Sequence, residues 1–264
     1  MSQPAIIAED LHKAFGSLVV LDGVSFALER GRTLVVLGRS GTGKSVLLKT
    51  IVGLLDPDRG RVQVLGQDLH RLDEAGRLRA RRRMGYVFQD GALFDSLSVA
   101  DNVGFQLIQD RRPAGEVRRM VDDALEQVGL SHVGARMPSE LSGGMRKRVG
   151  VARAIVARPE LVLYDEPTSG LDPLTTGSIN RIVRDLQRSH GSTAIVVTHD
   201  MASAFLVGDR IIMLRDGRIV ADGDPAAIRA HGDPWVQAFI GTPAGSVRGG
   251  TDQVAEAVDD AVEA

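Results

Sequence analysis

Gly38, Arg39, Ser40, Gly41, Thr42, Gly43, Lys44 and Ser45 form an unbroken G-x-x-x-x-G-K-S run, set between an apolar stretch over residues 33–37 and a helical pattern that opens near Gly43. Glycines at these positions let successive backbone N–H groups surround an anion that side chains would exclude. The helix start adds the positive end of its dipole. Lys44 then reaches the β- and γ-phosphates of a nucleotide, and the Ser45 hydroxyl is placed to ligate Mg2+. A chance turn before a helix would not carry every fixed position of this pattern.

A second apolar strand, over residues 161–164, ends in Asp165 and Glu166. Ligands collect at the C-terminal ends of strands in parallel sheets. There Asp165 would hold Mg2+ through water, and Glu166 would act as general base on an attacking water. An isolated Asp-Glu pair is usually a solvated turn; the phosphate loop is what raises this one above that reading. His199 follows another apolar strand, 33 positions after Glu166, where it can bond the γ-phosphate or hold the water. Taken alone it reads as a structural histidine. Gln89, after a short strand over residues 84–88, has an amide able to meet both Mg2+ and water. Phe15 lies 23 positions before Gly38 and reads either as a platform for a base or as a core aromatic.

The strands and helices that must position these groups are legible as patterns. Short strands are predicted over residues 5–11, 18–21 and 24–28, broken at Asp22-Gly23, then over 33–37, 61–65 and 84–88. Apolar residues recur at helical spacing over 99–108, 114–128 and 144–157. Strands return at 161–164, 194–197 and 210–214, alternating with helices over 173–188 and 201–207. The reading is an α/β fold with a mostly parallel sheet, an N-terminal antiparallel β-subdomain and an inserted helical subdomain at about 90–158. Residues 1–240 form the main domain. Residues 241–264 form a Gly/Ser/Thr/Pro-rich linker and an acidic tail.

Composition narrows the partners. With 32 basic against 34 acidic residues, no global field recruits nucleic acid. There is no cysteine for a disulfide framework or a zinc ribbon. The first residues lack a basic region followed by an apolar stretch, and no apolar run approaches a membrane span, so a soluble, cytoplasmic chain is expected. Arg77, Arg79, Arg81, Arg82 and Arg83 crowd one short segment. They read as a solvated helix face beside a buried strand in preference to a lipid or nucleic-acid contact, because no aromatic platform accompanies them.

Taken in order, Phe15, Gly38–Ser45, Gln89, Leu141-Ser142-Gly143-Gly144-Met145, the strand ending in Asp165-Glu166, Ser169-Gly170-Leu171-Asp172 and His199 resemble the motif set of ABC-transporter ATPases. The resemblance runs over residues 5 to about 240 and implies a P-loop NTPase fold and ATP hydrolysis. It also implies a head-to-tail homodimer, in which each ATP lies between the loop of one copy and Ser142, Gly143 and Gly144 of the other. Asp172 would communicate between the two sites. Gln89 falls where the family couples ATPase to membrane permease, which places the chain on the cytoplasmic face of the inner membrane, bound to an integral permease dimer. Soluble ABC proteins acting on DNA or ribosomes carry coiled-coil insertions, zinc cysteines or two fused halves; this chain has none of them.

A narrower resemblance rests on Val46, where most members have threonine, on the segments 88–99 and 141–148 with Met145 in place of glutamine, and on Val236-Gln237-Ala238-Phe239-Ile240-Gly241. Together these look like the ATPases of Mla/MCE-type phospholipid transporters, which implies an MCE-domain substrate-binding protein in the same complex. Residues 242–264 match no pattern. Val254, Val258 and Val262 would line one face of a short helix, with disorder the equal alternative, and related lipid-transport ATPases place a C-terminal extension on the partner subunit.

Overall fold

The computed structural model describes residues 3–241 of the 264. The expectations for the tail at 242–264 therefore lie outside the described residues. In chain order the elements are β1 (Ile6–Phe15), β2 (Leu18–Leu28), β3 (Thr33–Leu37), α1 (Lys44–Ile51), β4 (Arg59–Val64), β5 (Gln67–Asp68), α2 (Glu74–Arg81) and β6 (Met84–Val87). There follow α3 (Val99–Gln109), α4 (Ala114–Gln127), α5 (Gly143–Ile155), β7 (Leu161–Asp165), α6 (Pro173–His190), β8 (Thr193–Thr198) and α7 (Met201–Val207). The last are β9 (Arg210–Arg215), β10 (Arg218–Gly223), α8 (Pro225–Arg229) and α9 (Pro234–Gly241).

They build two sheets. One is antiparallel in the order β2-β1-β4-β5; the other runs β10-β9-β3-β8-β7-β6, parallel except for the β9–β10 hairpin. The N-terminal strands correct the sequence reading. β2 passes unbroken through Asp22-Gly23, and register shifts in the β1–β2 ladder absorb the irregularity that the Asp-Gly pair signals. The arginine segment is likewise more than a solvated face. Arg81 donates to the carbonyls of Val52 and Gly53 just past α1, and Arg77 to those of His70 and Leu72. Arg82 and Arg83 pair with Asp110 and Glu160.

Side-chain alternation in the parallel sheet decides where the chemistry faces. Leu34, Val36, Leu161, Leu163, Ile195 and Val197 enter the core shared with α1 and the antiparallel sheet. Val35, Leu37, Val162, Tyr164, Ala194 and Val196 enter the other core, formed with helices α3 to α7. Because strand side chains alternate, Asp165 continues the row of Leu161 and Leu163 and faces α1. The register pairs Leu37 with Thr198 and Asp165 with Val197, so β3, β8 and β7 deliver the phosphate loop, His199 and the two carboxylates to one edge.

Candidate active site

The loop between β3 and α1 is shaped by what cannot fit there. Gly43 has φ +90°, and a Cβ on it would lie 2.7 Å from the Val20 carbonyl oxygen of β2. Only glycine lets the loop lie this close to the antiparallel sheet, and its backbone opens α1 directly beneath it. Thr42 turns its hydroxyl inward to the Arg39 carbonyl at 2.8 Å, while Arg39, Ser40 and Gly41 stay exposed. The Val46 side chain is buried in the core, so this residue can offer a ligand only its main chain.

Lys44 folds back over the loop. Its Nζ donates to the carbonyls of Gly38 and Arg39, each at 3.0 Å, and pairs with Glu166 Oε1 at 3.3 Å. Ser45 Oγ donates to Asp165 Oδ1 at 3.0 Å, and the Tyr86 hydroxyl donates to Asp165 Oδ2 at 3.0 Å. His199 Nδ1 meets Glu166 Oε2 at 2.9 Å. Glu166 sits at φ +45°, outside the strand geometry that ends at Asp165. This turn takes its carboxylate out of the Asp165 row and toward Lys44 and His199. A non-glycine residue held there is a strained position fixed by its surroundings.

The two neighbouring carboxyls are pushed in opposite directions. Burial lifts Asp165 above the usual carboxylate range, and the Glu166 charge adds to this, against the hydroxyls of Tyr86 and Ser45. Burial acts the same way on Glu166, but the His199 hydrogen bond and the Lys44 charge together overcome it and hold Glu166 below its ordinary value. His199 is raised by the same hydrogen bond to Glu166, against its own desolvation. Tyr86 is pushed far up by burial beside Asp165, so its hydroxyl keeps its proton. An ionised Glu166 is a base available to water. Ser45 and Asp165 present hard oxygen donors, which suits a divalent cation held by one carboxylate and by phosphates. Among the described residues no group of three His, Cys, Asp or Glu side chains forms an all-protein metal cage.

The His199–Glu166 pair has a defined pH window. The raised imidazole contributes stability fully below its unfolded value of about 6.5 and loses it as pH climbs through the higher folded value. The depressed Glu166 loses its share only as pH falls through its own lowered value. His199→Gln is therefore expected to lower the melting temperature most near pH 6 and progressively less toward pH 9, at about those values. Thermal melts of both proteins across that range check it; a constant difference would mean the pair carries no such linkage.

Other residues anticipated for the site make no hydrogen bond to Lys44, Ser45, Asp165, Glu166 or His199 among the described residues. Gln89 is exposed on the turn after β6, with no side-chain hydrogen bond among the described residues. Phe15 ends β1, partly buried, with the Lys13 ammonium 5.5 Å from its ring centroid. Ser142 caps α5 by accepting from the Met145 N–H at 3.3 Å, and Asp172 caps α6 by accepting from the N–H groups of Leu174 and Thr175. Those two helix starts abut: a Cβ on Gly144 would lie 2.5 Å from Thr175 Cγ2. Lys147, buried in α5, donates to the Ser169 carbonyl and ties the two segments together. Sequence reasoning missed both Tyr86 and Lys147. Lys147 lies in the helix that Ser142 caps, and a lysine on a buried helix face was the signal available.

A glycine loop opening a helix, a hydroxyl facing a carboxylate, and a base held by lysine and histidine define the class: a P-loop protein built to bind nucleotide phosphates. The ABC transporter family model matches residues 21–169, and the chain belongs to that family. The sulfate/thiosulfate import ATP-binding protein CysA of Mycobacterium tuberculosis is 41% identical over 238 residues, covering 90% of this chain and 66% of that protein. The probable ribonucleotide transport ATP-binding protein mkl of Mycobacterium leprae is 38% identical over 237 residues, covering 89% of this chain and 68% of mkl. The chain spans 66 to 68% of the length of these two curated relatives. Among solved structures, the dimeric post-hydrolysis state of the ATP-binding cassette MJ0796, bound to ADP and Pi, superposes with a TM-score of 0.77. It is 31% identical, and the match covers 83% of this chain and 98% of that one.

Proposed function

We propose that this chain is the ATP-binding and ATP-hydrolysing subunit of an ABC transporter, working as a homodimer that energises a separate membrane permease from the cytoplasmic face of the inner membrane. The observation that carries the reading is the constellation of Lys44, Ser45, Asp165, Glu166 and His199 at one edge of the parallel sheet. Phosphates would displace Lys44 from Glu166. Ser45 and Asp165 would hold Mg2+, with Gln89 added from its exposed turn, and the cation would neutralise developing phosphate charge. Glu166 would then orient and deprotonate the water, and His199 would keep the Glu166 carboxylate ionised and aimed. The MJ0796 dimer with ADP and Pi supports a two-copy arrangement.

No described helix is long and apolar enough to cross a membrane, so the transmembrane path belongs to other subunits in this reading. A groove of about 440 Å3 opens beside the Gln89 turn, lined by Leu78, Phe88, Phe94, Phe105 and Arg153. Apolar walls with a charged rim suit a short permease helix.

For cargo, the finer reading is phospholipid movement between inner and outer membrane in an Mla/MCE-type system with an MCE-domain protein. Its support is Val46, Met145, the segments around Gln89 and Ser142, and Val236 to Gly241. CysA and mkl carry sulfate/thiosulfate and ribonucleotide in their names at nearly equal identity, so overall similarity favours no cargo. The test is transport by the purified complex in proteoliposomes, with ATP and either labelled phospholipid or labelled sulfate. ATP-dependent phospholipid transfer alone is expected. Sulfate uptake would transfer the cargo assignment, and absence of ATP hydrolysis in the complex would remove the ATPase reading itself.

A further inference from the structure

Asp165 has each of its carboxylate oxygens taken by a different hydroxyl. Oδ1 accepts from Ser45, in the first turn of α1, and Oδ2 accepts from Tyr86, each at 3.0 Å. Tyr86 comes from the neighbouring strand, where the β6–β7 register sets it opposite Leu163, two residues before Asp165. Side chains at this diagonal share a face of the sheet and lie within reach of a long aromatic. The Tyr86 ring also packs against Phe88, with centroids 4.5 Å apart. The hydroxyl is thus delivered by a ring with little freedom to a carboxylate that is itself buried. A phenylalanine would fill the same space, so packing alone does not account for the oxygen.

We propose that Tyr86 is a positioning residue, whose hydroxyl fixes the Asp165 carboxylate in the rotation that faces Ser45 and receives Mg2+. Without it, Oδ2 has no donor in the described structure, and the carboxylate can turn away from Ser45. Hydrogen-bond partners behind a metal-binding carboxylate typically change metal affinity about 10- to 100-fold. The inference rests on the nucleotide-site reading above and concerns one bond within it.

Tyr86→Phe removes only that bond. Mn2+ serves as the probe, titrated by electron paramagnetic resonance into full-length protein saturated with the non-hydrolysable analogue AMP-PNP. The half-saturating Mn2+ concentration is expected to rise about 10- to 100-fold in Tyr86→Phe. AMP-PNP affinity in EDTA should stay within about twofold, since the phosphate loop is untouched. On an Asp165→Asn background the same change should add less than about threefold, because Tyr86 acts through Asp165. An unchanged Mn2+ requirement, equal losses with and without Mn2+, or full additivity with Asp165→Asn would each overturn the proposal and leave Tyr86 a core residue. If the parent protein itself shows no nucleotide-dependent Mn2+ binding, the site reading has failed, and that outcome is distinct from the others.

Discussion

Glu166→Gln is expected to lower ATP turnover about 10²–10⁴-fold, the usual reach of a positioned general base, while ATP still binds. The amide keeps the size of the carboxylate, and its oxygen can still accept from His199. What disappears is the negative charge that Lys44 and His199 maintain inside a buried site. Lys44→Ala should fail earlier. Its ammonium bridges the loop carbonyls to Glu166, and in the proposed mechanism it would exchange those partners for phosphate oxygens when ATP binds. Loss of nucleotide binding is therefore expected in Lys44→Ala and retention in Glu166→Gln. Steady-state ATPase rates and equilibrium nucleotide binding on both proteins separate the two roles. Near-wild-type turnover in Glu166→Gln would remove Glu166 as the base.

The difference between these two variants was open to sequence reading because their residues stand in motifs whose spacing is set by the chain itself. The loop from Gly38 to Ser45 is local, and the strand before Asp165 announces its end by switching from apolar to acidic. Tyr86 is the opposite case. Inside a short apolar strand, a tyrosine has the pattern of a core aromatic, and nothing local marks its hydroxyl. Only the parallel pairing of β6 with β7, which joins Tyr86 to Leu163 77 positions later, brings it to Asp165. The carbonyl contacts of Arg77 and Arg81 in α2 were hidden for a related reason. Periodicity separates a helix's faces, but it does not tell solvent from the carbonyls that follow another helix, which Arg81 covers. β10 had a usable local signal that went unread. Asp216-Gly217 adopts positive φ at both positions, the two-residue turn that closes a hairpin, but the charged residues flanking it hid the strand beyond.

Mixing Lys44→Ala subunits with Ser142→Arg subunits is expected to restore ATP-promoted association that neither variant shows alone. Within one chain Ser142 is spent on capping α5, and no hydrogen bond among the described residues joins it to Lys44. Its helix start packs instead against Thr175, and Lys147 holds the Ser169 carbonyl. The Ser142 and Asp172 segments thus form one surface, supplied by α5 and α6, while the phosphate loop forms another at the end of β3. Leu174, 88% exposed immediately after Pro173, lies on the first surface. If the homodimer is head-to-tail, each ATP is held by Lys44 of one copy and by Ser142 with the α5 N-terminus of the other. A Lys44→Ala homodimer then has no competent loop, and a Ser142→Arg homodimer has a bulky cation at both facing sites. Their heterodimer keeps one site with Lys44 and Ser142 both intact. Sedimentation velocity with ATP, on each variant and on the mixture, reads this directly. Equal association in all three samples would mean that each monomer carries a self-contained site and that the α5 and α6 surface serves another purpose.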